Sequence, residues 1–371
     1  MDRNKQDSYS MAITRCKEEI AKFNKKTFKV MFFVYDTKGT PSGSLTYIYK
    51  TAYTLKNEGY NVLILHNEKD FVGVKEWLGE KYASLPHLSM GKDSLSVSAS
   101  DILFIPEVFS NVMSETKNLP CQRIVIMQNF DLMTELLPFG VSFSNYKIDT
   151  FIATSEKLAN KTNEVFRNMK HYIVPPVISS EFSPAKEKNK LIVGIITKDK
   201  SDINAIIKPF KLKFPMYGFV SFKQLANMPK EMFAEKLKEC AITVWNDPFT
   251  DFGISAVESM ACGNIVIGKI PESEPEWMFD EKGVKDNGLW YYNTRDAHML
   301  IAKAVNSYLY NEIPEQIIEN MDKTVSQYSE DIFEKNVKEV YINQIFKERE
   351  EELRKTLEVL INDSEKVNSE E

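Results

Sequence analysis

Cysteine and histidine are scarce in this sequence of 371 residues, with four of each. The cysteines lie far apart and form no Cys-x-x-Cys pair, and none of the histidines lies in a metal-ligand pair. This spacing excludes the common zinc-binding motifs, so we expect no bound metal ion. It predicts four reduced thiols in a reducing compartment, and we therefore expect a cytoplasmic protein. The four cysteines are Cys16, Cys121, Cys240 and Cys262.

Long apolar segments are also absent. The longest apolar runs, such as Val30–Tyr35, have only the length of one strand, so we expect no segment to span a membrane. The first ten residues are polar, from which we expect no signal peptide. Glycine and proline number 14 and 15 and follow no repeat, which argues against a solenoid or a propeller.

A charge excess of one sign is missing as well. The net charge of −6 divides into +3 for residues 1–180 and −9 for residues 181–371. This distribution gives no strong case for a nucleic-acid or membrane surface. Hydrophobic residues make up 43% of the chain and charged residues 27%, which is typical of a globular protein long enough for two domains.

What the sequence does contain is two series of alternating strands and helices. Short continuous apolar runs, typical of buried parallel strands, are separated by amphipathic stretches. This alternation predicts an α/β fold with two doubly wound, Rossmann-like domains. The predicted strands are Phe28–Tyr35, Asn61–His66, Ile102–Pro106, Arg123–Gln128 and Thr150–Thr154, then Leu191–Ile196, Ala241–Trp245, Ile265–Ile267 and Leu289–Tyr292.

The same pass along the chain predicts its division. We expect a helical extension over residues 1–27, with an apolar stripe from Met11 to Phe23. A first domain follows over residues 28–178 and a second over residues 179–312, after a linker rich in Pro, Ser and Lys. Residues 313–361 are predicted to form C-terminal helices that end in a charged tail, and residues 362–371 to be disordered.

The most informative segment runs from Asp247 to Ile267. It reads as a strand end, a loop, a helix and a turn into the next strand. Gly253 permits close approach of the backbone, and the amides that open the following helix suit a diphosphate. Glu258 lies about one turn into that helix, where its carboxylate could receive sugar hydroxyls. A plain packed helix with Glu258 on a solvated face is the alternative.

This segment resembles the donor-site signature of glycosyltransferase family 4 and related retaining GT-B enzymes. There, an acidic residue and Gly-Phe-Gly lead to a second Glu eight positions after the first, followed by Ala-Met-Ala-x-Gly. Asp251-Phe252-Gly253 matches the loop, Glu258 matches the second acid, and Ser259–Gly263 matches the end. In the family the second acid binds the ribose of the nucleotide.

The resemblance implies a GT-B fold, two Rossmann-like domains with the active site in the cleft between them. It implies a hexosyltransferase-like enzyme that takes a sugar from a UDP- or GDP-sugar, with retention and without a metal or other cofactor. The second domain would bind this donor, with Phe252 and Ile254 beside Gly253. A C-terminal helix near Pro314–Ile345 would cross back to the first domain.

Two departures from the family pattern favour an alternative, a catalytically inactive GT-B-like binding or scaffold protein. Thr250 stands where the family has its first acid, so the candidate catalytic residues are Asp251, Thr250 and Asp247. The Arg that follows Gly194 in the family is missing here, which leaves Lys198 and Lys200 as candidate diphosphate ligands. Solvated loop charges fit these two lysines as well.

The first domain supplies further candidates. Gly39, Gly43 and Ser44 belong to a glycine-rich loop that suits contact with the acceptor or a phosphate, although an ordinary βα loop fits equally well. Glu107 and Gln128 follow predicted strands, and ligands of open α/β sheets bind beyond such carboxyl ends. We therefore expect both side chains to line the cleft.

The acceptor cannot be read from the sequence, and a glycan, a lipid-linked sugar, a protein and modified DNA all stay open. The tail helix over residues 345–361 has two interpretations. Its apolar side chains could form an oligomer, or they could pack on the helix's own chain.

Overall fold

The computed structural model describes residues 3–185, 191–197, 199–226, 228–247 and 250–369. Within these residues it contains two parallel sheets flanked by helices, which confirms the predicted α/β class with two Rossmann-like units. The change from one sheet to the other falls between Ile173 and Ile192, and the domain boundary at residue 178 stays a prediction.

The first sheet is built from strands β1 (Lys29–Phe33), β2 (Asn61–His66), β3 (His87–Ser89), β4 (Ile102–Pro106), β5 (Gln122–Met127), β6 (Thr150–Ala153) and β7 (Lys170–Ile173). Among the described residues, its strands follow the order β3-β2-β1-β4-β5-β6-β7, and every pairing is parallel. The order reverses between β1 and β4, so the carboxyl ends of these two strands flank a crevice.

Helices cover both faces of the first sheet. They are α1 (Arg3–Asn24), α2 (Gly43–Asn57), α3 (Lys75–Leu78), α4 (Glu80–Ala83), α5 (Ser110–Glu115), α6 (Phe130–Leu136) and α7 (Glu156–Val165). All five residues of β4 are buried, as expected for a strand covered on two faces. The predicted stripe of α1 is correct at Ile20 and Phe23, whereas Met11 is exposed because it lies beyond the packed part of the helix.

The second sheet is built from β8 (Ile192–Thr197), β9 (Ser221–Gln224), β10 (Ile242–Asn246), β11 (Ile265–Lys269) and β14 (Leu289–Tyr291), and β12 (Phe279–Asp280) and β13 (Gly283–Val284) form a separate hairpin. Within the described residues the order is β14-β11-β10-β8-β9, all parallel. Its helices are α8 (Lys200–Lys213), α9 (Lys230–Glu239), α10 (Ile254–Ala261) and α11 (Ala297–Leu309). The order reverses between β8 and β10, and their carboxyl ends form a second crevice.

The C-terminal helices connect the two units, as expected. Helix α12 (Glu315–Ser326) packs on α10, whereas α13 (Glu330–Val337) packs on α2 of the first unit. The chain crosses between them, where the amide of Ile178 donates to the carbonyl of Tyr328 at 2.7 Å. A π-helical segment (Lys338–Phe346) then places Tyr341 in the core of the first unit.

The tail differs from its prediction. Helix α14 (Lys347–Ser369) continues through most of the segment that we expected to be disordered, because its helix-forming residues are supported by local pairs such as Lys366 and Asp363, 3.3 Å apart. Its apolar side packs along α1, where Leu353 belongs to the first core and its carbonyl accepts from Cys16 Sγ at 3.4 Å. Packing on its own chain is thus observed for this helix.

Two further observations concern the described residues. All four cysteines are buried, and none of them forms a disulfide. None of the helices there combines the length and the apolar character needed to cross a bilayer.

Candidate functional site

The carboxyl ends of the two sheets face a common cleft of about 900 Å³. The first unit contributes the loops that follow β1, β4 and β5, and the second contributes the loop between β10 and α10. Most of the residues predicted from sequence meet here. Those that line the cleft are Gly43, Ser44, Glu107, Gln128, Asp247, Thr250, Asp251, Phe252, Gly253 and Ile254.

Hydrogen bonds and a close backbone approach hold the described part of the loop that precedes α10. Gly253 has a φ of 73°, in the left-handed region, and an added Cβ would lie 2.5 Å from the ring of Trp245. Its amide donates to Thr250 Oγ1 at 2.9 Å, and Trp277 Nε1 donates to the carbonyl of Phe252 at 2.5 Å. Only glycine fits this close approach, and the fixed loop directs the first amides of α10 toward the cleft.

Asp251 links the two units. Its Oδ2 accepts a hydrogen bond from the backbone amide of Phe130, at the start of α6 in the first unit, at 2.7 Å. Burial raises the pKa of Asp251, and the amide bond opposes this rise. Asp251 therefore has an interdomain contact, while Thr250, where the family has an acid, uses its hydroxyl to hold the loop.

Glu258 is buried, with an exposed fraction of 7%, so the alternative of a solvated face is wrong. It lies one turn beyond Ile254 on the same side of α10 and thus beneath the residues that line the cleft. Burial raises its pKa to about 7, and the cations of Lys230 and Lys50 oppose that rise. The carboxyl group of Glu258 therefore lies in a buried site near the cations of Lys230 and Lys50.

The two lysines near Glu258 belong to a partly buried polar cluster that joins the units. Lys50 of α2 donates to Ser179 Oγ and to Glu330 Oε1, the latter at 2.8 Å, and Lys230 at the start of α9 also donates to Ser179. Burial lowers the pKa of Lys230 to about 8, and the neighbouring Lys50 adds to the effect.

Sequence reasoning missed this cluster. The sequence gives one local signal, a lysine at position 50 within a helix of mostly uncharged residues. The structure shows that its neighbours Tyr49 and Thr51 are both fully buried.

The lysines that we predicted from sequence lie elsewhere. Lys198 falls outside the described residues. Lys200 opens α8 on the exposed surface and does not line the cleft, an arrangement that matches the alternative of a solvated charge. An acid lies near the carboxyl end of β8 instead. Asp202 of α8 accepts from Thr197 Oγ1 at 3.1 Å and from Asn246 Nδ2 at 2.5 Å.

In the first unit the glycine-rich loop leads into α2. Ser42 caps this helix by accepting from the amide of Leu45 at 3.3 Å, and Gln128 Nε2 donates to Ser44 Oγ at 2.8 Å. Gly39, with a φ of 82°, lies in the turn of the loop but does not itself line the cleft. Gln128 and Ser44 thus come together as predicted cleft residues.

Glu107 directly follows β4, next to the point where the strand order reverses. It is buried, and its Oε1 accepts from the amides of Gln128 and Asn129 at 3.1 and 2.8 Å. Its Oε2 has no hydrogen-bond partner among the residues that the structure describes. Burial raises its pKa to about 7 despite the two amides, and the charge of Asp251 adds to the rise.

The sequence matches no protein-family model and no curated protein. Solved structures are similar in fold. A glycosyltransferase from Rickettsia africae superposes with a TM-score of 0.61 at 13% identity, covering 86% of this chain and 100% of that chain. Sucrose-phosphate synthase from Thermosynechococcus elongatus gives 0.58 at 11% identity, covering 86% and 99%.

HepE of Anabaena, solved in complex with UDP-glucose, gives a TM-score of 0.58 at 13% identity and covers 84% of this chain and 99% of that chain. These proteins match over nearly their whole length, so the likeness in fold includes both units. Membership of family 4 in particular stays a prediction. The chain has the GT-B fold, the two-unit fold of these glycosyltransferases.

Proposed function

We propose that this protein is a glycosyltransferase that moves a sugar from a nucleotide-sugar donor to an acceptor. The observation that carries the proposal is the hydrogen-bonded loop Thr250–Gly253, which opens α10 at the cleft between two parallel sheets, with Glu258 one turn below. Its support from other proteins is that HepE, which shares the fold, was solved with UDP-glucose bound.

The donor would bind to the second unit. The amides that open α10 can hold a diphosphate, and Lys230 supplies a cation near Glu258 that the sequence pattern did not reveal. Amides and a cation stabilise the charge that develops on the leaving phosphate as the glycosidic bond breaks, so the transfer needs no metal ion. Retention of configuration is part of the same proposal.

Glu258 would accept hydrogen bonds from the ribose hydroxyls once the units move apart. The first unit supplies Lys50, whereas Lys230 and Glu258 both belong to the second. Opening of the cleft would withdraw Lys50 and leave the acid beside Lys230 on the donor side. Closure over the bound donor then excludes water from the reacting sugar.

A binding screen tests the proposal. Calorimetry with UDP and GDP and their glucose conjugates should show binding of one nucleotide series. Glu258→Gln should weaken that binding about tenfold or more, because the ribose loses a charged hydrogen-bond acceptor. Glu281→Gln, an exposed acid in the hairpin of β12 and β13, is the matched control and should bind as the wild type does.

Metal dependence and the stereochemistry of the transfer are tested separately. Turnover that persists in EDTA would support a transfer without a metal, and the anomer first released in slow donor hydrolysis, observed by proton NMR, tests retention. Absence of nucleotide binding by well-folded protein would overturn the proposal. It would favour the inactive binding or scaffold protein. Two observations support that alternative: the hydroxyl of Thr250 holds the loop, and Asp251 forms a hydrogen bond between the units.

Four kinds of acceptor stay open in this proposal: a glycan, a lipid-linked sugar, a protein and modified DNA. An oligomer through α14 likewise stays a prediction. Val359 is the largely exposed apolar residue of that helix, and it is where a partner would pack.

A further inference from the structure

The free oxygen of Glu107 is an unusual feature of the cleft. The side chain is only 4% exposed, and Oε1 is fixed by two backbone amides, yet Oε2 has no hydrogen-bond partner among the described residues. Buried polar atoms of folded proteins nearly always have partners, so an unpaired carboxyl oxygen at the edge of a cleft indicates a group that a ligand completes.

The surroundings of this oxygen indicate the chemistry of that ligand. Glu107 lines the cleft together with the hydroxyl of Ser44 and the amide of Gln128, and with the apolar surfaces of Phe109 and Leu132. A lining that combines hydroxyl, amide and carboxyl groups with apolar surfaces suits a ligand that carries hydroxyls on a carbon ring. The charged groups that act on Glu107 include Asp251, which adds negative charge, so an anion is disfavoured here.

We propose that Oε2 of Glu107 forms a hydrogen bond with a hydroxyl group of a sugar bound in the cleft. The proposal rests on the transferase function and adds a residue of the first unit that recognises sugar directly. The two backbone amides orient the carboxyl group in advance, so little freedom is lost when the hydroxyl arrives. The sugar is either that of the donor or that of an acceptor, and the chemistry of recognition is the same for both.

Glu107→Gln is the variant that tests this. Its amide oxygen can still accept from Gln128 and Asn129, while the NH₂ group that replaces Oε2 cannot accept a hydrogen bond as the carboxylate does. Binding is therefore compared at pH 8, above the pKa of about 7, where Glu107 is ionised. Glu135→Gln makes the same chemical change at an exposed position of α6 outside the cleft and is the matched control. Thermal unfolding of both variants verifies that they are folded.

Two binding measurements distinguish the sources of the sugar. Calorimetry compares UDP with UDP-glucose and GDP with GDP-glucose, and saturation-transfer NMR follows glucose, galactose and N-acetylglucosamine with and without nucleotide. If the donor sugar is the ligand, Glu107→Gln binds the free nucleotide as the wild type does but loses about tenfold to a hundredfold in affinity for the nucleotide sugar. If an acceptor sugar is the ligand, only the NMR signal of a free sugar falls.

Both results support Glu107 as a sugar-binding residue. Equal binding of every nucleotide sugar and free sugar by the wild type and by Glu107→Gln overturns it, as does a wild type that binds no sugar in either measurement. A wild type that binds free sugars through Glu107 but no nucleotide would support this site while it refutes the transferase proposal.

Discussion

At the scale of single residues, Glu107 should make the stability of the protein depend on pH. Burial raises its pKa from 4.5 to about 7, so the folded protein retains a proton that the unfolded chain has already released between these values. Stability therefore falls as the pH rises through this window. We expect Glu107→Gln, which cannot ionise, to gain on the order of 3 kcal/mol relative to the wild type between pH 5 and pH 8.

Urea denaturation at several pH values measures this difference. Glu135→Gln, at an exposed position, should follow the wild type at each pH. A stability difference between Glu107→Gln and the wild type that stays constant from pH 5 to pH 8 would contradict the raised pKa.

Gly253 gives a second prediction at this scale. Alanine at this position must adopt a φ of 73° and places a Cβ 2.5 Å from Trp245, a fully buried side chain that cannot move aside. We expect Gly253→Ala to lower the free energy of unfolding by about 2–4 kcal/mol, from backbone strain and overpacking together. Guanidinium denaturation provides the measurement.

Gly140 is the matched control for that substitution. Its φ is 75°, nearly the same, but no atom lies within 4 Å of an added Cβ. Gly140→Ala should therefore cost only the backbone term, about 1–2 kcal/mol. Equal losses in the two variants would show that contact with Trp245 contributes nothing.

The candidate site was predictable from sequence where its residues are close together in the chain or directly follow predicted parallel strands, as Glu107 and Gln128 do. The spacing from Asp251 to Glu258 places a loop and one helical turn in order, and the structure contains both. The partners of Lys50 lie 129 and 280 residues away, and the partner of Asp251 lies 121 residues away. Such pairs depend on how the two units are arranged, which no local pattern encodes.

At the scale of elements, the apolar runs of β4 and β5 are fully or almost fully buried and were predicted within a residue or two. Strands β3 and β9 were missed because they are short and only partly buried, so their sequences lack a continuous apolar run. The end of α14 was predicted as disordered on the basis of polarity, yet polar residues with paired charges also form helices that project into solvent.

The π-helical segment should stabilise the first unit by the aromatic residue at its end. Phe346 is 3% exposed, and its ring lies 5.1 Å from that of Phe28 and 5.0 Å from that of Tyr60. Phe346→Ala should lower the free energy of unfolding by about 3–5 kcal/mol, because it removes a buried ring and leaves a cavity. The matched control is Val359→Ala on α14, where the side chain is 58% exposed and a change within about 0.5 kcal/mol is expected.

Chemical denaturation monitored by tryptophan fluorescence and by circular dichroism measures both variants. A loss at Phe346 no larger than that at Val359 would show that the C-terminal helices are attached to the first unit without stabilising it.

At the scale of the whole molecule, the two units are joined by contacts of different strength. Lys50 of the first unit and Lys230 of the second both donate to Ser179 in the segment that joins the units, and Asp251 accepts from the amide of Phe130 at the cleft. The pair of Lys157 and Glu274, 2.9 Å apart, is about half exposed on both sides. Since exposed ion pairs contribute little, we expect two partly buried acids of the second unit to hold the cleft closed, Asp251 and Glu276, the latter placed at the backbone amides of Glu156 and Lys157.

Asp251→Ala should therefore shift the protein toward an open form without unfolding either unit. The substitution removes a charged acceptor and leaves the amide of Phe130 without it. Small-angle X-ray scattering should report a larger radius of gyration for Asp251→Ala than for the wild type, while circular dichroism stays the same. Glu274→Ala, which breaks only the exposed pair, is the control and should scatter as the wild type does. Identical scattering from Asp251→Ala and the wild type would show that the other contacts between the units are sufficient to close the cleft, and that Asp251 is not needed to hold the units together.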